Sequence, residues 1–135
     1  MQRTEEPMRT ALSVAAAGFL GAAARFGIDG WFAGLAGGQG TFLPWATLAV
    51  NLSGSWLLGL LVGSAARLGL PPWLQEAAGT GFLGAFTTFS AFSIQMVAMF
   101  EAGNYSAAAL YAALNGGAGW LLAAWGLRWG RGRRA

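Results

Sequence analysis

The chain has 135 residues, 56% hydrophobic and only 10% charged, with a mean hydropathy of +0.51, a formal charge of +3 and a pI near 10.7. That balance describes a membrane protein rather than a soluble domain. Cysteine and histidine are absent and the carboxylates are dispersed, so there is no disulfide framework, no soft-metal site, no histidine proton relay and no nucleophile–base pair for an enzyme.

The first uncharged stretch, Thr10–Ala24, covers about 22 Å as a helix, short of the roughly 30 Å hydrocarbon core. The first span is therefore drawn over residues 10–30, carrying Arg25 into or to the edge of the bilayer four residues before Asp29. Arg25 is either a snorkelling interfacial residue or the structural contact of a helix–helix or subunit interface. The preceding MQRTEEPMR has no cleavable-signal design. Trp31–Pro44, rich in glycine, is read as the first turn region.

The second span covers residues 45–66. Thr47, Asn51, Ser55, Gly59 and Gly63 recur every four residues and form one small or polar face suited to a helix partner. Gly-Leu-Pro-Pro ends this crossing, and the third spans residues 76–100. Glycines and adjacent hydroxyls in Gly79–Ser93 predict a break near 79–88, which hydrocarbon cannot satisfy and which must face protein, water or an ion. The fourth span covers residues 105–127, with Tyr111, Asn115 and Gly119 as a second inward stripe. The fold class expected is an all-α integral membrane protein, one four-helix transmembrane domain over residues 1–135. The small and polar faces of three spans predict an oligomer.

All eight basic residues are arginine, and four of them, Arg128, Arg131, Arg133 and Arg134, crowd the C-terminus. Such a tail suits anionic lipid headgroups rather than nucleic acid, for which there is no soluble domain. With four crossings, Arg3, Arg9, Arg67 and the tail share one side, and the positive-inside rule predicts cytoplasmic termini.

Within the third span, Phe89 and Phe92 lie three apart, about 60° around a helix, so both can point into one passage. Their electropositive ring edges could accompany a small anion, although phenylalanines at helical spacing are more often packing or lipid contacts. Thr87, Thr88, Ser90, Ser93, Asn51, Tyr111 and Asn115 are all uncharged hydrogen-bond donors, a set that favours an anion over a metal cation. Taken singly, each hydroxyl could instead bond its own helix at i−4. Carbonyls freed near Gly84 and Thr87 have the opposite preference and could hold a monovalent cation.

The pieces GFLGAAAR at Gly18–Arg25, TLAVNLSG at Thr47–Gly54 and GAFTTFSAFS at Gly84–Ser93 resemble the Fluc/CrcB family of small fluoride channels, in order and spacing across all four spans. The resemblance implies an antiparallel dimer in a bacterial cell membrane, with two fluoride pathways and a central sodium ion where the broken helices cross. It assigns the Gly84 and Thr87 carbonyls to sodium and makes Phe89 and Phe92 the pore rings. Asn51 becomes the second-helix donor, Tyr111 the fourth-helix residue near the pathway, and Thr88, Ser90 and Ser93 a polar track. The implied function is passive export of cytoplasmic fluoride. Two positions depart from the family pattern: Gln95 stands where glutamate is usual, and Asn115 where a serine is common. The one-sided arginines also sit poorly with dual topology, which leaves two assemblies open: a dimer of this chain with itself, or with a homologous subunit of opposite orientation. The rival functions are a small proton-coupled multidrug exporter, which would need a membrane-embedded carboxylate, and a non-transporting membrane adaptor.

Overall fold

The computed structural model describes residues 2–35 and 43–132. Among the described residues the secondary structure is entirely helical. Four segments, Glu6–Leu35, Trp45–Ala65, Pro72–Glu101 and Tyr105–Arg131, are long and apolar enough to cross a membrane. The protein is built from α1 (Gln2–Leu35), α2 (Trp45–Ala65), α3 (residues 72–86), α4 (Phe89–Glu101) and α5 (Tyr105–Arg131), with α3 and α4 the two halves of the third crossing.

The first helix runs further than the composition suggested: Trp31–Leu35, assigned to the turn, are helical. Glycines at 30 and 34 do not stop the helix, because open carbonyls have little to bond near lipid. The rest of that turn, residues 36–42, and the arginines at 133 and 134 lie outside the described residues.

The turns at the ends of α2 and α4 close by the same device. Gly103 has φ +72°, its N–H donates to the Phe100 carbonyl, and the next N–H, of Asn104, reaches back to the Met99 carbonyl at 2.9 Å. Gly69, at φ +62°, is followed by Leu70 N–H donating to Ala65 at 3.0 Å. Both are Schellman motifs, in which a left-handed glycine lets the last helical carbonyls find partners. Pro71 and Pro72 then prevent α2 from continuing and start α3, with Pro72 at a position whose N–H would have no helical acceptor.

The bundle is held by backbone-to-backbone approach at glycines. On α2, a Cβ added at Gly59 or Gly63 would drive into the carbonyls of Ala123 and Leu127. Reciprocally, one added at Gly126 or Gly130 of α5 would meet the carbonyls of Trp56 and Leu60. The two Gly-x-x-x-Gly faces interlock, which suits a medium where close packing rather than exclusion from water drives helix association. A second seam joins α1 to α3, where Gly21 faces the Phe82 carbonyl and Gly81 faces Val14. Elsewhere Phe19 and Phe26 are exposed, as lipid-facing side chains are.

The third crossing is broken, but over a shorter length than residues 79–88. Residues Ala77–Leu83 are wound as a π-helix and Gly84–Phe86 as α-helix. Only Thr87 (φ −79°, ψ 159°) and Thr88 (φ −145°, ψ 123°) are extended. Glycines 79 and 81 serve side-by-side packing instead of unwinding, since each turn opened in hydrocarbon would orphan further polar groups. A second π segment, Leu114–Ala118, interrupts α5.

A glycine-to-alanine change separates these contacts from mere flexibility. Gly126→Ala or Gly59→Ala is expected to destabilise the detergent-solubilised protein by about 1–3 kcal/mol, the usual penalty of overpacking. Gly27→Ala, with nothing within 4 Å, should leave the thermal midpoint unchanged or raise it.

Candidate ion-conducting site

The break is stabilised from α2. Asn51 Oδ1 accepts the Thr88 N–H at 2.8 Å, and Asn51 Nδ2 donates to the Thr88 carbonyl at 3.0 Å. Its second Nδ2 hydrogen goes to Asn115 Oδ1 on α5 at 2.9 Å. The side-chain amide thus pairs with an extended residue as a neighbouring strand would. Both of its donors are engaged, so in this arrangement Asn51 is a clamp on the break.

That clamp releases carbonyls. In an unbroken helix the Gly84 carbonyl would accept from the Thr88 N–H, which here is held by Asn51. The Thr87 carbonyl would accept from the Ala91 N–H, which instead donates to Thr88 Oγ1 at 3.1 Å, the N-cap of α4. The two carbonyls assigned to a cation by resemblance are therefore among those that lose their ladder donors at the break. The Ala85 carbonyl, in the same last turn of α3, accepts the Nε–H of Arg25 at 3.1 Å. Arg25 reaches across from α1 to the break, and no ion pair with Asp29 forms among the described residues.

Released carbonyls and capped N-terminus meet in one cavity of about 440 Å³. Gly84, Thr87, Thr88, Phe89 and Phe92 line it from the third crossing, Asn51, Gly54 and Ser55 from α2, and Ala112, Asn115 and Gly116 from α5. Among the described residues no carboxylate lines it. The C-terminal end of α3 presents partial negative charge and the N-terminal end of α4 partial positive charge. A cation-favouring and an anion-favouring region thus lie side by side.

The two phenylalanines differ. Phe89 is 79% exposed, whereas Phe92 is partly buried, 5.8 Å from Phe89 and 5.2 Å from the Tyr111 ring. Tyr111 itself is fully buried behind Phe92 and does not line the cavity. Of the hydroxyls, Thr88 Oγ1 lies 3.3 Å from Ser90 Oγ, while Ser93 Oγ donates to its own helix at Phe89 (2.9 Å). Ser90 and Ser93 lie on α4, beyond the cavity lining. Asn115 uses one Nδ2 hydrogen on the Tyr111 carbonyl at 3.0 Å. The π turn that contains Asn115 displaces it relative to an uninterrupted helix, a common use of such turns at functional sites.

One group of residues was not assembled from the sequence. The Tyr111 hydroxyl donates to Gln95 Oε1 at 2.6 Å, and Gln95 Nε2 donates to Thr47 Oγ1 at 3.0 Å. The position where glutamate was expected is therefore the middle of a neutral chain linking α5, α4 and α2. Thr47 and Gln95 also border a smaller cavity, about 230 Å³, with Asp29, Phe32 and Trp45. Thr47 stood on the polar face of α2 and Gln95 stood out as a departure, but nothing in their spacing joins them.

Four apolar crossings, one broken around a cavity of neutral donors and released carbonyls, define a multi-pass membrane protein of the small ion-handling type. The chain belongs to the family described as CrcB-like protein, camphor resistance (CrcB), which it matches over residues 12–127. It is 45% identical over 122 residues to fluoride-specific ion channel FluC 1 of Symbiobacterium thermophilum, covering 87% of this chain and 96% of that one. It is 42% identical over 115 residues to fluoride-specific ion channel FluC of Erythrobacter litoralis, covering 83% and 85% of the two chains. To fluoride-specific ion channel FluC of Bordetella petrii it is 48% identical over 105 residues, covering 77% of each. These relatives are named as channels, and the family is not one of enzymes.

The clamp has a direct test. Asn51→Ala leaves the N–H and carbonyl of Thr88 without their partner, and thermal unfolding in detergent should show a loss of about 1–3 kcal/mol. Asn51→Asp should be no better than alanine, because its new oxygen would face the Thr88 carbonyl and Asn115 Oδ1.

Proposed function

We propose that the chain forms a passive, fluoride-selective channel that exports cytoplasmic fluoride. The observation that carries this reading is the cavity at the break, which gathers phenyl rings, neutral donors and a capped helix N-terminus without a carboxylate. The names of the relatives support it.

The working unit is an antiparallel dimer, of this chain with itself or with a homologous subunit of opposite orientation. Released carbonyls at Gly84 and Thr87, beside an exposed Phe89, are untenable against acyl chains and require a covering partner. A structural sodium ion belongs at the same place. Neutral, hard carbonyl oxygens from Gly84 and Thr87, with no acidic or sulfur ligand among the cavity residues, suit a hard monovalent cation. When bound it supplies positive charge that holds facing breaks together.

Fluoride is selected over chloride by size, by the demand for dehydration and by donor placement, since the two anions carry the same charge. Phe89 and Phe92 offer ring edges on the narrow section. Thr88, Ser90 and Ser93 offer hydroxyls that can rotate from their present partners, and Asn115 retains one amide hydrogen. Tyr111 acts from behind, packing on Phe92 and fixing its plane. Arg25, bonded to the last turn of α3, holds the break against α1. The lopsided arginines favour one fixed orientation with cytoplasmic termini. Proton-coupled drug export is the weaker reading, since Asp29 lines the smaller cavity and no carboxylate lines the larger one.

Reconstituted in liposomes, the protein should release fluoride rapidly and chloride little, with Phe89→Ile and Phe92→Ile each cutting fluoride efflux by an order of magnitude or more. Equal release of both anions would overturn the selectivity, and absence of any ion flux would leave the adaptor reading standing. A tag on the termini should be accessible from one membrane face only, which would make the partner a homologous subunit; labelling from both faces would mean dual topology and a dimer of this chain with itself.

A further inference from the structure

We infer that Ser55 is an anion-binding residue of the pathway, a hydroxyl station one helical turn beyond Asn51 on α2. The inference rests on the fluoride reading above and names a residue that the resemblance did not assign.

Three serines lie on α2, and two are spent on their own helix. Ser53 Oγ donates to the Ala49 carbonyl at 2.5 Å, and Ser64 Oγ to the Leu60 carbonyl at 2.7 Å. This back-bonding is the ordinary fate of a serine inside a membrane helix. Ser55 alone has no such bond, and its side chain lines the large cavity. The neighbouring polar groups are largely committed. Both hydrogens of the Asn51 amide are used, and Thr87 Oγ1 donates to the Leu83 carbonyl at 2.9 Å. The Ser55 hydroxyl, half-buried on the cavity wall, is therefore left as an uncommitted donor facing that space.

The facing helix leaves room for that acceptor. Asn51 pairs with Asn115, and four residues further along each helix Ser55 faces Gly119. A Cβ built at Gly119 would sit 3.5 Å from Ser55 Oγ. The second rung therefore has a hydroxyl on α2 and no side chain on α5, where the first has two amides bonded to each other. Asn115, with one amide hydrogen uncommitted, borders the same space. A hydroxyl and an amide N–H converging on a space without carboxylates suit a small monovalent anion, and α2 runs from Asn51 toward Arg67, so this station lies between the break and the arginine-rich end of the bundle.

Fluoride efflux from liposomes tests this, with Phe92→Ile as the blocked control and Ser53→Ala as the silent one. Ser55→Ala should slow fluoride efflux about tenfold or more, the scale expected for a hydrogen bond to an ion. Ser55→Thr, which restores the hydroxyl, should recover most of the rate, and Gly119→Ala, which fills the space, should slow efflux while Ser55 is intact. Unchanged thermal midpoints and elution profiles would show that the variants fold. If Ser55→Ala conducts like the unmodified protein while Phe92→Ile is blocked, Ser55 is not a station and the fluoride reading survives. If the unmodified protein passes no fluoride, both fall together.

Discussion

One side chain replaces a stretch of helix. At the break the third crossing loses the ladder bonds that a bilayer normally demands, and the Asn51 amide returns two of them to Thr88 through its oxygen and its nitrogen. Without that exchange the extended pair Thr87–Thr88 would be driven back into helix by its own unpaired groups. With it, the chain can hold an open backbone in lipid, and everything polar in the cavity follows from this permission. The N-cap by Thr88 and the Arg25 bond to Ala85 secure the two sides of the same gap.

The remainder of the protein supplies rigidity around that gap. Interlocked glycines set the spacing of α2 and α5 by contact between main chains, with no flexible side chain between them. Asn51 and Asn115 lie on these same two helices, so their hydrogen bond is held by the packing of Gly59, Gly63, Gly126 and Gly130 several turns away. On the fluoride reading proposed above, such stiffness is an advantage, because ions of equal charge can be told apart only by size, dehydration and the placement of donors.

Much of this was legible before any coordinates. Hydropathy marked four crossings because the requirement for internal backbone pairing in lipid is severe, and the TTFS segment marked a break because adjacent hydroxyls and glycines are poor material for an uninterrupted span. The four-residue stripe on α2 was visible, but its division of labour was not. Thr47 serves Gln95, Asn51 serves the break, Ser55 faces the cavity, and the two glycines serve α5. Periodicity reports that a face is turned inward and not which neighbour each residue meets. For the same reason the hydroxyl of Tyr111 could not be tied to Gln95, sixteen residues away and on another helix. The extent of the break was overestimated because glycine signals both unwinding and close approach, and at 79 and 81 approach prevails.

The wide turn at Leu114–Ala118 deserves a last consequence. A π turn accommodates one residue more than an α turn, so it shifts the angular phase of everything before it by about 100° relative to everything after it. In α5 this lets Tyr111 pack on Phe92 and Gly126 and Gly130 face α2 on a single continuous rod. The segment behaves as a built-in one-residue insertion. Its length, more than the identity of its residues, keeps the two faces in register, and a single deletion there would swing one of them away from its partner.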